Sequence, residues 1–140
     1  MDCIAYNSGY KYQLKATYTV PIEIKPPSPL GNDYLRLDVD GHLTINKGYA
    51  WDGPSGPTLD TATFMRGSLI HDALYQLMRE GFLDHDENRE KADRILQRIC
   101  LEDGMWPPRA WWVYQAVRRF ADPAADPAAT RPTTRAPKDC

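Results

Sequence analysis

Ser68-Leu69-Ile70-His71-Asp72-Ala73-Leu74-Tyr75-Gln76-Leu77-Met78 is the stretch that decides the fold. With Met65 before it, the apolar positions Leu69, Ile70, Ala73, Leu74, Leu77 and Met78 recur near the helical period, which predicts an amphipathic helix over 61–79. Gly81 supplies a stop. In the middle of this apolar segment sit two ionisable residues, His71 and Asp72. Adjacent helical positions are about 100° apart, so the two meet different neighbours. His71 shares a face with Leu74, Tyr75 and Met78, and Asp72 with Ser68, Tyr75 and Gln76. An isolated pair of this kind is ordinarily a satisfied core histidine beside an exposed aspartate. The surrounding sequence shifts that reading, because an ionisable side chain inside an apolar helix needs partners.

A candidate partner lies on the next helix. Residues 87–102 carry Ala92, Ile95, Leu96, Ile99 and Cys100 on one stripe, with Asp86 or Asp84 as N-cap and Gly104 as terminator. Asp93 falls beside that stripe. An antiparallel helical hairpin turning at 81–86 can bring Asp93 next to His71, where a carboxylate holds the proton of one ring nitrogen and leaves the other nitrogen as a base. Tyr75, one turn after His71, can donate its hydroxyl to the same carboxylate. Asp52, in the turn-rich Trp51-Asp52-Gly53-Pro54-Ser55-Gly56-Pro57, can meet Asp72 at a hard cation with the help of loop carbonyls and water.

A third helix opens at Pro107-Pro108, where proline is tolerated in a first turn, and carries Trp111, Trp112, Tyr114, Val117 and Phe120. Aromatic residues at helical spacing are most often core, which is the expectation for Trp106, Trp111 and Trp112. Arg109, Arg118 and Arg119 read as a solvated flank. Upstream, residues 10–50 read as strands. Residues 11–24 are rich in Tyr, Thr, Val and Ile. The prolines of 25–32 argue against regular pairing there. Tyr34-Leu35-Arg36-Leu37-Asp38-Val39 alternates, Asp40-Gly41 signals a two-residue hairpin turn, and His42-Leu43-Thr44-Ile45 returns as its partner. His42 reads as a surface residue. Asp84-His85-Asp86-Glu87 is a second His-Asp pair that suggests a transition-metal phosphohydrolase, but capping explains it better. Ser55 has no nucleophile-elbow context.

Composition narrows the functional classes. The chain has 140 residues, a formal net charge of -2 and 42% hydrophobic residues, as expected for one soluble globular domain. No nucleic-acid partner is expected without a dense basic face. Three widely spaced cysteines, Cys3, Cys100 and Cys140, do not make a disulfide framework and fit a reducing compartment. No signal peptide or transmembrane segment is read, so the expected location is the cytoplasm. The domain expectation is 1–121 as one unit, with strands at 10–50 and helices at 60–121. The Pro/Ala/Thr-rich residues 122–140 are expected to be a disordered tail.

Four motifs in order carry a resemblance: Gly48-Tyr49-Ala50-Trp51-Asp52-Gly53-Pro54-Ser55-Gly56-Pro57, Leu69-Ile70-His71-Asp72-Ala73-Leu74-Tyr75, Arg89-Glu90-Lys91-Ala92-Asp93 and Tyr114-Gln115-Ala116-Val117-Arg118. Together they resemble an uncharacterised, often phage-encoded family, domain of unknown function 1353. The resemblance implies a phage or prophage origin, host cytoplasm or virion association, and a phage or host protein as a partner class, but no established activity. A more distant likeness links His71-Asp72-x-x-Tyr75, Asn88-Arg89 and Asp93 to the helical core of bacterial and fungal phospholipase A2. It implies His71 as the base that activates water, Asp93 as the residue orienting it, Tyr75 as a brace on Asp93, and Asp72 with Asp52 as calcium ligands. A lipid or other ester is the implied substrate. The chain departs from that enzyme class in lacking suitable cysteines, and Asp52-Gly53-Pro54-Ser55 matches its calcium loop only loosely. The fold expectation is α+β: a small N-terminal antiparallel hairpin or sheet, then three helices with a phospholipase A2-like helical hairpin, then the tail. Two functions stay open, a calcium-dependent ester hydrolase and a non-enzymatic phage accessory module that uses the same residues as a structural network.

Overall fold

A computed structural model of the chain describes residues 4–6, 12–51, 62–120 and 134–136. The strands are β1 (Ile4–Tyr6), β2 (Tyr12–Gln13), β3 (Tyr18–Pro21), β4 (Leu30–Gly31), β5 (Leu35–Leu37), β6 (His42–Ile45) and β7 (Ala50–Trp51). Three helices follow, α1 (Ala62–Arg79), α2 (His85–Glu102) and α3 (Pro107–Phe120), and then a last strand, β8 (Thr134–Ala136). The expected α+β order is therefore present. No helix among the described residues is long and apolar enough to cross a membrane.

The central sheet has four antiparallel strands in the order β3-β6-β5-β4. Alternation in the sequence sends Val20, Leu35, Leu37, Leu43 and Ile45 to one face, where they are buried. Ile22 and Ile24 extend the same apolar surface past the end of β3. Short two-stranded ladders join β2 to β7 and β1 to β8.

Two local expectations are corrected. The β5–β6 connection is not a two-residue turn. Leu37 pairs with Leu43, the Asp38 amide donates to the His42 carbonyl, and the Gly41 amide donates to the Asp38 carbonyl. The two-residue type I′ turn needs positive φ at both central positions. Only Gly41 supplies one, at φ +87°, so the loop takes an extra residue. A Cβ at Gly41 would lie 2.5 Å from the Ile22 carbonyl oxygen. Within the proline-rich segment, Leu30–Gly31 does pair, as the edge strand β4, where only one side must be satisfied. Of the tail expected over 122–140, Thr134–Ala136 pairs with Ile4–Tyr6. The other tail residues lie outside the described residues.

The α1–α2 hairpin packs on the apolar face of the sheet, and α3 packs against α2. Gly81, at φ +82°, ends α1. Asp84 rather than Asp86 caps α2, its carboxylate accepting from the Glu87 amide at 2.8 Å. α1 is the central element, with Leu69, Ile70, Ala73, Leu74, Leu77 and Met78 in the core that also holds the sheet residues and Ile95 and Ile99 of α2. Gly67 lets α1 and α2 approach closely: a Cβ there would lie 2.9 Å from Cys100 Sγ and 3.0 Å from Leu96 Cδ1. Burial pushes the Cys100 thiol up to about 12, which suits its role as packing rather than chemistry. A smaller apolar cluster of Phe64, Leu96, Met105, Ala110 and Val113 seats α3. Arg66 fastens the open end of the hairpin, bonding Asp103 and Glu102 and reaching the Tyr18 hydroxyl of β3 at 2.9 Å.

Tryptophans 106, 111 and 112 are not core. They are exposed, while the smaller Ala110 and Val113 take the inward positions of α3.

Candidate functional site: a histidine and an aspartate shared by three helices

The antiparallel hairpin sets the register of the site. Arg66 meets Asp103 at one end and the chain turns at Gly81 at the other, so the middle of α1 faces the middle of α2. His71 Nε2 lies 2.6 Å from Asp93 Oδ1, and the Tyr75 hydroxyl donates to the same oxygen at 2.5 Å. The His71 and Tyr75 rings lie one helical turn apart with centroids 4.1 Å from each other. Asp93 is fully buried and His71 is 6% exposed. Sequence reasoning therefore placed His71, Asp93 and Tyr75 together, and they are together.

The remaining carboxylate oxygen is held from a third direction. Arg118 Nη1 of α3 donates to Asp93 Oδ2 at 3.0 Å. Arg118 is itself positioned by Arg89 of α2, whose Nη2 donates to the carbonyls of Val117 at 2.9 Å and Arg118 at 2.6 Å. Those carbonyls lie in the last described turn of α3, which Arg89 thereby ties to α2. Arg118 was expected to be a solvated flank and Arg89 was read only as part of a motif. The signal that finds them is a rule of charge rather than of spacing: a carboxylate on an apolar stripe needs a cation as well as hydrogen bonds.

These contacts determine protonation. Burial alone would raise the Asp93 carboxyl, but its bonds from His71, Tyr75 and Arg118 outweigh that and hold it below the usual carboxylate range. Asp93 is therefore ionised and accepts, so the hydrogen on His71 sits on Nε2 and points at Asp93. In the neutral ring Nδ1 then carries the lone pair. Burial also disfavours a charged imidazole, yet the Asp72 and Asp93 carboxylates together raise His71 above its ordinary value. Burial and the negative charge of Asp93 raise Tyr75, which stays a hydrogen-bond donor.

Asp72 lies on the more open side of the ring. Its Oδ1 is 4.0 Å from His71 Nδ1, beyond hydrogen-bond length, and its side chain is 32% exposed. Asp52, the other expected metal ligand, lies outside the described residues. Among the described residues no group of three or more His, Cys, Asp or Glu side chains is arranged to hold a metal ion. The second His-Asp pair is engaged locally, with His85 Nδ1 2.9 Å from Asp86 Oδ1 and Asp84 used as the cap. His42 is exposed, as expected, and pairs with Asp40. A groove of about 830 Å³ along the outer side of α2 is lined by residues including Glu23, Lys91, Arg94 and Arg98, and His71, Tyr75 and Asp93 are not among them.

The arrangement can do two things chemically. It can hold an imidazole in one tautomer with its second nitrogen directed away from the buried acid. It can also tie three helices through one buried charge. Comparison with known proteins gives a single kind of match. The model of a family described as "Protein of unknown function (DUF1353)" matches residues 32–117, a span that includes His71, Asp72, Tyr75 and Asp93. No curated protein and no solved structure matches the chain. The match covers more than half of the chain, and the protein belongs to the DUF1353 family.

Proposed function

We propose that the protein is a hydrolase in which His71, anchored through Nε2 to Asp93, uses Nδ1 to take a proton from water as that water attacks an ester carbonyl. The observation that carries this reading is the 2.6 Å contact between His71 Nε2 and a fully buried, ionised Asp93. Such an anchor fixes the tautomer and orientation of a general base and stabilises the imidazolium formed when the proton arrives. The water oxygen bonds to the carbonyl carbon and its proton passes to Nδ1. The tetrahedral intermediate then collapses, and the imidazolium returns that proton to the departing alkoxide, giving an acid and an alcohol. Tyr75 keeps Oδ1 of Asp93 turned toward the ring. The choice of an ester, with lipid foremost, rests on the likeness of His71-Asp72-x-x-Tyr75 and Asp93 to phospholipase A2. The phage or prophage setting rests on the family resemblance.

Calcium belongs to the same likeness. It takes six to eight oxygens, whereas the described residues offer the Asp72 carboxylate without a cluster around it. Metal dependence is an arm of the experiment.

The test measures release of fatty acid from mixed phospholipid micelles, with calcium or with EDTA, by wild type, His71→Gln and Asp72→Asn. The reading expects turnover in wild type and a loss of about 100-fold or more in His71→Gln, the usual range for removing a general base. Turnover that survives His71→Gln, or none in wild type under either condition, overturns it. A loss in EDTA together with a loss in Asp72→Asn supports the metal site.

One observation favours a second reading. Asp93 joins α1, α2 and α3 through His71, Tyr75 and Arg118, which is also what a structural network does. On this reading the protein is a non-enzymatic accessory module for a phage or host protein partner. It predicts a His71→Gln protein that loses stability and has no turnover to lose.

A further inference from the structure

We infer that the outward face of α3 docks on an anionic lipid surface. α3 is two-sided. Ala110 and Val113 are buried and Val117 packs against the same cluster. At about 100° per residue, Pro108, Trp111, Trp112, Gln115 and Arg119 share the opposite face. Trp111 is 57% and Trp112 46% exposed, and Trp106, just ahead of the helix, is 72% exposed. A whole indole buries roughly 150–250 Å², of which about half to three quarters is still open to a partner at each of these positions. Trp111 and Trp112 on one helix face, with exposed Trp106 just ahead of the helix, make apolar exposure of the kind that marks an interaction site.

Charge identifies the occupant. The chain carries a net charge of -2, yet α3 holds Arg109, Arg118 and Arg119 and no acidic residue. Arg118 is turned inward to Asp93, while Arg119 is exposed on the tryptophan face and Arg109 lies at its flank. The acidic residues nearest Trp106, Glu102 and Asp103, are bonded to Arg98 and Arg66, so their charge is met by their own cations. A helix with tryptophan and arginine on its exposed side matches the boundary between headgroups and acyl chains: indoles settle at headgroup depth and guanidinium groups meet phosphate. This proposal does not depend on His71 chemistry, since adsorption is measured without turnover.

The experiment is co-sedimentation of the full chain with vesicles of phosphatidylcholine alone or of equal parts phosphatidylcholine and phosphatidylglycerol, at low and high salt, with tryptophan emission recorded. Wild type is expected to sediment with the anionic vesicles and to shift its emission to the blue. Salt should weaken this binding, and neutral vesicles should bind far less. A Trp111→Ser/Trp112→Ser protein and an Arg119→Glu protein, each melting like wild type, should bind at least about tenfold more weakly. Failure of wild type to bind anionic vesicles, or undiminished binding by both variants, overturns the proposal. So does emission of Trp111 and Trp112, read as the difference between wild type and Trp111→Ser/Trp112→Ser because Trp51 is buried, that is already blue-shifted without vesicles. If that shift tracks concentration, a second copy of the chain is the occupant; if it does not, another part of the same chain is.

Discussion

Replacing Asp93 with asparagine keeps the shape of the side chain and removes its charge. In wild type the carboxylate is fully buried and accepts from His71, Tyr75 and Arg118. The amide can replace one acceptor oxygen but places an NH₂ group against donors, and it leaves two cationic or cation-forming partners facing a neutral group. Removing one member of a buried charged network costs about 3–5 kcal/mol. Arg118 is 31% exposed and can turn toward water, which places the expected loss at the lower end, about 3 kcal/mol. For a domain of this length that corresponds to a fall of roughly 10 °C in Tm. Urea unfolding at neutral pH, followed by circular dichroism, reads the loss directly. Glu90→Gln is the control, because its bond to Arg94 is solvent-exposed and should leave stability at the wild-type value. An Asp93→Asn protein as stable as the control would refute the claim that this carboxylate organises the helices.

Two further outcomes follow from the same packing. Stability should peak at mildly acidic pH. His71 is raised above 6.5, so its contribution is complete below that value and is lost as pH rises through its folded-state value. Asp93 is lowered below 3.8, so its contribution is present above that value and is lost as pH falls through its folded-state value. The two groups form one coupled pair, and melts across the pH range should show both flanks shrink in Asp93→Asn. Separately, Gly67→Val forces a branched side chain against Cys100 and Leu96. Overpacking of this kind should cost about 2 kcal/mol by calorimetry, whereas a wild-type melt would mean that the α1–α2 contact is looser than described.

The features legible in the sequence are those that depend on local pattern. Helical periodicity located α1 and α2, and the short link from Gly81 to Asp84 left an antiparallel hairpin as the natural arrangement. That register brings His71 opposite Asp93, so the heart of the site could be read before the fold was known. Arg118 could not be read in this way. It reaches Asp93 because α3 crosses α2 at the right height, and that height is set by Ala110, Val113, Met105 and the Arg89 bonds to α3 carbonyls, contacts distant in sequence. The tryptophans of α3 misled for a related reason. A close helix contact selects the small Ala110 and Val113 for the inward face of α3, which leaves the bulkier Trp111 and Trp112 outside. Aromatic content indicated burial, but packing distance decided against it. The Asp40-Gly41 turn differed because one glycine supplies positive φ at one position only.

The dyad itself is tested most directly by nitrogen-15 NMR of the His71 ring across the pH range. The His71–Asp93 pair predicts a ring protonated on Nε2 when neutral, a titration midpoint above 6.5, and a midpoint that drops in Asp93→Asn. A ring protonated on Nδ1, or a midpoint at or below 6.5 that Asp93→Asn leaves in place, would contradict it.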